Sequence, residues 1–557
     1  MTLLFAAPLN QPMRPVFALV WHQLPDPLQS MAFSAVVAVI PLVTILVLMG
    51  WLRKSGWFAS ACGLLTTVVL ALVVWKMPFG LMFRSVGFGM LYALWPVMGI
   101  VFAGLWLYNV SSSAGKFELL RRWMAEHASG DPCIQALLVA FCFGALLESC
   151  AGFGAPVAVT SFLLVGLGFE PRRAVIVALI ANTAPVGFGG MGIPIVVLGD
   201  VTGLAQSKLS AMVGRQLPLL SVIVPMYLVW VVERGKGLKR VWPAALVTGI
   251  TYALAQFLVS NLWGPYATDI IAASVSIATL SGFLRIWSPR RAEPERRSQQ
   301  AHDPVTAAES KQTRLSPGEA FAAWVPWLLL CAVMMIWTYL KLFEIGKLSL
   351  PIPGRGNDIF ITLYGKSARP YFFRPLDVGT AVLVATGLTA LCFRVSPSNF
   401  ICSGAKTLRQ IRLPGVTVLL IISLAYLYNY SGMAYTLGAA VAGVGSAFPL
   451  VSSYLGWVAC FLSGSDMAGN LLFGNLQVIA AHQLHLNPVL LAATNSSGGV
   501  ISKMISPQNI AVGVTTVGLI GQEGNILRRT FWPSIVLASI LGILVYAQAY
   551  WLTWMVP

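Results

Sequence analysis

Apolar runs, each about one bilayer long, follow one another along most of this chain, and that succession limits its fold more than any other feature. Twelve such runs lie near 31–52, 57–77, 86–110, 172–199, 210–233, 241–262, 268–287, 319–341, 376–394, 413–430, 488–516 and 531–556. A spanning helix needs about 20 apolar residues, so each run suits one crossing. Only 10% of the 557 residues are charged, against about 25% in a soluble domain. A water-facing surface cannot be built from so little charge. The sequence therefore predicts an all-α polytopic membrane protein surrounded by lipid.

The net charge of +17 reads as a record of topology, not as a nucleic-acid footprint. Residues 288–318 are polar and Pro-rich, the composition of a disordered linker. Placing that linker in the cytoplasm puts 24 of the 36 Lys and Arg residues in internal loops and both termini outside. Residues 1–30 then form an extracytoplasmic segment; five prolines and no basic region before an apolar core argue against a cleavable signal peptide. The polar loop at 342–375 becomes an external excursion.

Two stretches, 133–168 and 450–486, are too long for one straight span and carry Gly, Ser and an acid in the middle. They read as re-entrant hairpins, whose irregular tips are tolerated at membrane depth only against protein or a wet cavity. The chain also repeats. At an offset of 313, ANTAPVGFGGMGIP (181–194) aligns with TNSSGGVISKMISP (494–507), pairing Asn182 with Asn495 and Pro194 with Pro507. LWLYNVSSSAG (105–115) corresponds to LAYLYNYSGMA (424–434), and the two hairpins correspond at similar offsets. Repeat 1 spans 31–233, with a broken helix at 172–199; two connecting helices occupy 234–287; repeat 2 spans 319–557, with a broken helix at 488–516. Seven crossings separate the two starts, so the second copy is expected inverted. Inverted repeats with broken helices at the midplane are a transporter architecture, in which the hairpin tips meet at a binding site.

Ionisable residues at membrane depth are costly and mark function by default. Three stand out: Glu148, Asp466 and Lys503. The two acids occupy corresponding hairpin tips and are candidate proton carriers. Lys503 either attracts an anionic substrate or forms an internal salt bridge, with Asp466 the partner considered. The segments containing Asn182 and Thr183, and Asn495, Ser496 and Ser497, offer small residues, hydroxyls and amides around an anion; tight helix packing is the competing explanation. A carboxylate-binding or gating role stays open for Arg215, which lies on the side poor in basic residues. The eight cysteines are scattered, and His482 and His485 lack companion ligands, so neither a metal nor another cofactor is expected. No nucleotide-binding loop or nucleophile elbow occurs, which argues against an ATP-driven pump or a hydrolase.

At FCFGALLESCAGFGAPVAVTSFLLVGLGFEP (141–171), ANTAPVGFGGMGIPI (181–195), VGRQLPLLSVIVP (213–225) and NSSGGVISKMISPQNIAVGVTTVGL (495–519), the chain resembles the bacterial L-lactate permease family. The resemblance covers nearly the whole sequence. It implies inverted repeats with paired hairpins, as in the ion transporter-like superfamily, and proton-coupled uptake of lactate, glycolate and similar 2-hydroxymonocarboxylates across the inner membrane. It carries Glu148, Gly152, Phe153, Gly154, Asn182, Thr183, Asn495, Lys503 and Pro507 onto matching positions. One departure is that Met467, Ala468 and Gly469 stand before Asn470 where the family has a hydroxyl-rich run. Side-chain coordination of Na+ by the second tip is thereby disfavoured. The competing expectations are a Na+-coupled carrier of another organic anion and a non-transporting membrane receptor. The sequence leaves the oligomeric state open.

Overall fold

Where these apolar runs bend is decided by Pro and Gly more than by helix propensity. Trp95 precedes Pro96, whose ring disfavours helical backbone at the residue before it; Trp95 is extended (φ −145°, ψ 120°) and divides Phe79–Tyr92 from Gly99–Ser113. Pro171–Ala181 and Val186–Thr202 meet at a bend of 62°. Just beyond that bend, inside the second helix, Gly190, Met191 and Gly192 all take positive φ, at 52°, 59° and 74°. Gly192 must be Gly for a second reason: a Cβ there would lie 2.7 Å from the Pro265 carbonyl oxygen.

The computed structural model describes residues 21–48, 52, 54–127, 131–150, 154–287, 315–350, 359–361, 366–367, 371–519 and 522–557. Most of the 1–30 segment, the 288–318 linker up to residue 314, and much of the 342–375 loop lie outside the described residues. Among the described residues, eight helices are long and apolar enough to cross a membrane, or up to ten if each of two bent pairs is one span. One of the eight, Gln206–Leu262, has 57 residues and departs from helical geometry at Glu233 and Arg234. At 1.5 Å per residue it is far longer than a bilayer is thick, long enough for two crossings.

The helices fall into two groups. In one, Pro397–Ser431 packs on Gly56–Val73, Phe79–Tyr92 and Gly99–Ser113, with Met31–Leu46, Pro317–Tyr339 and Val378–Cys392 around them. The other gathers Pro132–Cys150, Ala155–Gly166, Pro171–Ala181, Gly189–Thr202, Gln206–Leu262 and Thr268–Ile286 with the four helices Phe448–Ser463, Asp466–Gln483, Pro488–Ser502 and Glu523–Tyr550. Met433–Ala442, a short helix in a stretch the sequence reading leaves unassigned, bridges the groups by packing on Asp466–Gln483.

Small residues let the second group close up, as expected where apolar lipid gives helices no hydrophobic reason to associate. A Cβ on Gly456 would sit 2.0 Å from the Asn495 carbonyl oxygen, and one on Gly498 would sit 2.1 Å from that of Ser453. Both obstacles are backbone. Gly498→Ala is therefore expected to destabilise the protein by about 1–3 kcal/mol, measured as a lower Tm of the purified protein; an unchanged Tm would show that this contact opens freely.

The 342–375 segment carries short strands as well as loop. Leu348–Leu350 pairs antiparallel with Tyr371–Phe373, and Ile359–Ile361 pairs with Lys366–Ser367 and, in parallel, with Trp21–His22. Branched and aromatic residues at 359–361 and 371–373 account for these strands. Trp95 Nε1 donates to the Arg374 carbonyl at 2.7 Å and the Tyr371 hydroxyl donates to the Trp95 carbonyl, so the segment is fastened to the broken Phe79–Ser113 span.

Candidate functional site

Helix ends deliver the charges. Asp466 opens Asp466–Gln483, where exposed N–H groups favour an anion, and Lys503 caps the C-terminus of Pro488–Ser502, where carbonyls favour a cation. Glu148 projects from the last turn of Gly144–Cys150. All three side chains are buried.

Lys503 Nζ donates to Glu148 Oε1 at 2.5 Å, and Asn182 Nδ2 donates to Glu148 Oε2 at 2.9 Å. The internal salt bridge weighed for Lys503 exists, but Glu148 is its partner, not Asp466. Beyond the bend after Ala181, Gly189 lies directly on Glu148, where a Cβ would fall 2.9 Å from Oε1. A side chain there would press on the oxygen that Lys503 holds.

Asp466 is held differently. Ser496 Oγ donates to its Oδ2 at 2.5 Å and Asn470 Nδ2 approaches the same oxygen at 3.5 Å. Oδ1 has no hydrogen-bond partner and faces Gly499, at which a Cβ would come within 2.2 Å. Asn495 reaches this cluster through Asn470: its Nδ2 donates to Asn470 Oδ1 at 2.9 Å, while Asn470 donates to the Pro194 carbonyl at 3.1 Å. That chain ties the second hairpin region to the first broken segment.

A cavity of about 50 Å³ lies between the acids, lined by Glu148, Gly189, Gly190, Ile193, Pro194, Gly464, Ser465, Asp466, Lys503 and Gln508 among others. On the segments 181–194 and 494–507, Asn182 Oδ1, Thr183 Oγ1, Asn495 Oδ1, Ser497 Oγ and Ser506 Oγ are buried without hydrogen-bond partners. Buried polar atoms are nearly always paired, so these orphans, on the segments that also bond Glu148 and Asp466 through Asn182 and Ser496, leave polar groups open to a guest. One cation and two acids around one cavity, with the Ser465 hydroxyl and the Gln508 amide beside them, can recognise a small anion and exchange a proton.

Of the residues singled out in the sequence, Glu148, Asp466 and Lys503 line this cavity, and Asn182, Asn495 and Ser496 bond to them or to Asn470 beside them. Gly154 starts the helix after Glu148 with φ 83° and packs against Asn509; Gly152 and Phe153 lie outside the described residues. Arg215 is placed elsewhere. Its Nε donates to Asn261 Oδ1 at 2.9 Å and its Nη1 to the Met555 carbonyl at 2.8 Å. It fastens the C-terminal end of the chain and does not line the cavity. Arg215→Gln is expected to leave the KM for substrate within about twofold of the parent, as a change outside the pocket should; a tenfold rise in labelled-substrate uptake assays would restore a binding role.

Asp269 is a buried acid that the sequence reading passes over. It stands one residue inside Thr268–Ile286, where an acid looks like an interfacial residue, and no repeat motif contains it. Among the described residues no group of three His, Cys, Asp or Glu is placed to hold a metal.

Comparison with known proteins converges on one group. A family model described as L-lactate permease matches residues 34–552. The glycolate permease GlcA of Escherichia coli K12 is 39% identical over 556 residues, covering 96% of this chain and 99% of that one. The L-lactate permease of Salmonella typhimurium LT2 is 38% identical, covering 96% of this chain and all of the other. Among solved structures, the YdaH transporter of Alcanivorax borkumensis is 15% identical and covers 86% of this chain and 89% of its own, at a TM-score of 0.42. That likeness is too loose to carry an argument.

Proposed function

Because the chain belongs to the L-lactate permease family, and so is a multi-pass protein of the bacterial inner membrane, we propose that it imports L-lactate and related 2-hydroxymonocarboxylates, D-lactate and glycolate among them, by proton symport. The observation carrying this reading is the buried Glu148–Lys503 pair on the wall of the cavity.

One buried cation can neutralise one carboxylate. When the substrate carboxylate reaches Lys503, two anions compete for it in a medium where an unpaired charge costs several kcal/mol. The strain is relieved if Glu148 takes a proton, and the loaded site then holds a substrate–Lys503 ion pair beside a neutral acid. Loss of the substrate reverses the sequence: Lys503 returns to Glu148 and the proton leaves. The anion and the proton are thus bound together and released together. Asp466, with no cation bonded to it and one orphan oxygen, is the second proposed proton carrier, and the Asn182, Thr183, Asn495, Ser496 and Ser497 groups surround the substrate hydroxyl and carboxylate.

The same reading takes the chain as two inverted repeats, with twelve crossings and two hairpins. Matching contacts support it: Asn182 donates to Glu148 in one half, and Ser496, next to the aligned Asn495, donates to Asp466 in the other. The hairpin-bearing group of helices would then move against the group built on Pro397–Ser431. Proteoliposomes offered labelled L-lactate, D-lactate, glycolate and a dicarboxylate provide the test. Uptake of the three monocarboxylates and not the dicarboxylate is expected; uptake of none of them would end this reading.

A further inference from the structure

Away from the cavity, a second polar cluster is buried between Gln206–Leu262 and Thr268–Ile286, centred on Asp269. Gln256 Nε2 donates to Asp269 Oδ1 at 3.2 Å. Ser221 Oγ donates to Gln256 Oε1 at 2.9 Å, which fixes the amide with its NH2 group toward the acid. The other carboxylate oxygen, Oδ2, is buried and faces the buried Tyr252 hydroxyl. The titratable groups turned toward this site are Tyr252 from the long helix, and Glu148 and Cys142 from Pro132–Cys150. Among the described residues no Lys or Arg is paired with it.

A carboxylate this deep with no cation is poorly supported as a fixed charge, yet an apolar residue would have filled the place at lower cost. The surroundings suit both protonation states. When Asp269 is ionised, Gln256 and Tyr252 can each donate to it; when it is neutral, its own O–H can donate to the Tyr252 oxygen, because a phenol both donates and accepts. Its position is also specific. The turn before it touches two places: Pro265 packs on Gly192 of the broken segment, and the Tyr266 ring lies 6.4 Å from that of Phe343, at the start of the 342–375 segment. Asp269 therefore stands at the end of Thr268–Ile286 nearest that segment, on a helix packed against Gly144–Cys150, which carries Glu148, and its partner Gln256 also reaches the Ala184 carbonyl at 3.5 Å beside the broken segment.

We propose that Asp269 is a proton-holding site of this permease, loading a proton from the water at the end that bears the 342–375 segment and yielding it to Glu148 when substrate displaces that acid from Lys503. The transfer balances: the Asp269 O–H bond breaks, a Glu148 O–H bond forms, and Asp269 becomes a carboxylate that reloads from water. This inference rests on the proton-symport reading, so the experiment separates the two. Lactate accumulation driven by an imposed pH gradient, and lactate–lactate exchange without a gradient, are measured in proteoliposomes for the parent, Asp269→Asn and Asp269→Glu. Gradient-driven accumulation by the parent, its loss in Asp269→Asn with exchange retained, and its return in Asp269→Glu with a displaced external-pH profile are expected. If the parent accumulates and Asp269→Asn accumulates equally, the inference is wrong while symport stands. If the parent ignores the pH gradient, symport itself fails and the inference with it. Should Asp269→Asn lose exchange as well, Asp269→Glu decides: a displaced pH profile supports the proton role, and an unmoved profile overturns it.

Discussion

Lys503→Met is expected to reduce lactate uptake by at least about 100-fold, which corresponds to about 2.8 kcal/mol of lost stabilisation. The methionine fills similar volume but supplies no charge, so the substrate carboxylate would enter a buried site with no cation to meet it. The same change strands Glu148, whose Oε1 loses its 2.5 Å donor and keeps only Asn182 on the other oxygen. Removing one partner of a buried pair costs about 3–5 kcal/mol unless the survivor is neutralised. A fall in Tm should therefore accompany the loss of uptake. The double variant Lys503→Met with Glu148→Gln separates the two effects, since removing both charges together is often neutral for stability. It should recover the Tm and stay inactive. Full uptake in either variant would remove Lys503 from the substrate site.

Glu148→Gln should have a different phenotype. Glutamine keeps the size and can still accept from Asn182, but it cannot carry a proton and no longer neutralises Lys503. The cation then holds the substrate anion in every step of the cycle. Exchange of internal for external lactate should persist, with an unchanged or lower KM, while net uptake stalls because the unloaded site would have to cross with a bare buried charge. Internal lactate should rise no higher than the external level under an imposed pH gradient. Accumulation against the gradient by this variant would exclude Glu148 as the coupling acid.

Much of this was legible in the sequence because lipid leaves few options. Run length fixes helix length, and a charge inside a run must have a reason. Glu148, Asp466 and Lys503 could be found on that ground alone, and the repeat pointed to Asn182 and Asn495 as neighbours of the acids. Which acid takes Lys503 was not legible. It depends on how the chain turns between Ala181 and Gly192, which brings Gly189 onto Glu148, and a sequence shows the glycines without the direction of the turn. Asp269 carries no such signal because proximity to the end of an apolar run suggests exposure, whereas packing against Gln206–Leu262 buries it. Arg215 has an expected side poor in basic residues as its sequence signal, but its partners, Asn261 and Met555, are 46 and 340 residues away along the chain. Contacts of that kind carry no local signal. The strands at 359–361 and 371–373 were hidden by the prolines, glycines and charges around them, which read as loop.

Simultaneous measurement of proton and lactate entry into proteoliposomes, with Na+ absent and the membrane potential clamped, is the most direct check on the competition between Glu148 and substrate for Lys503. A pH-sensitive dye inside the vesicles and labelled lactate outside should report equal fluxes, unaffected by added Na+. Lactate entry without proton entry, or entry that requires Na+, would contradict the account.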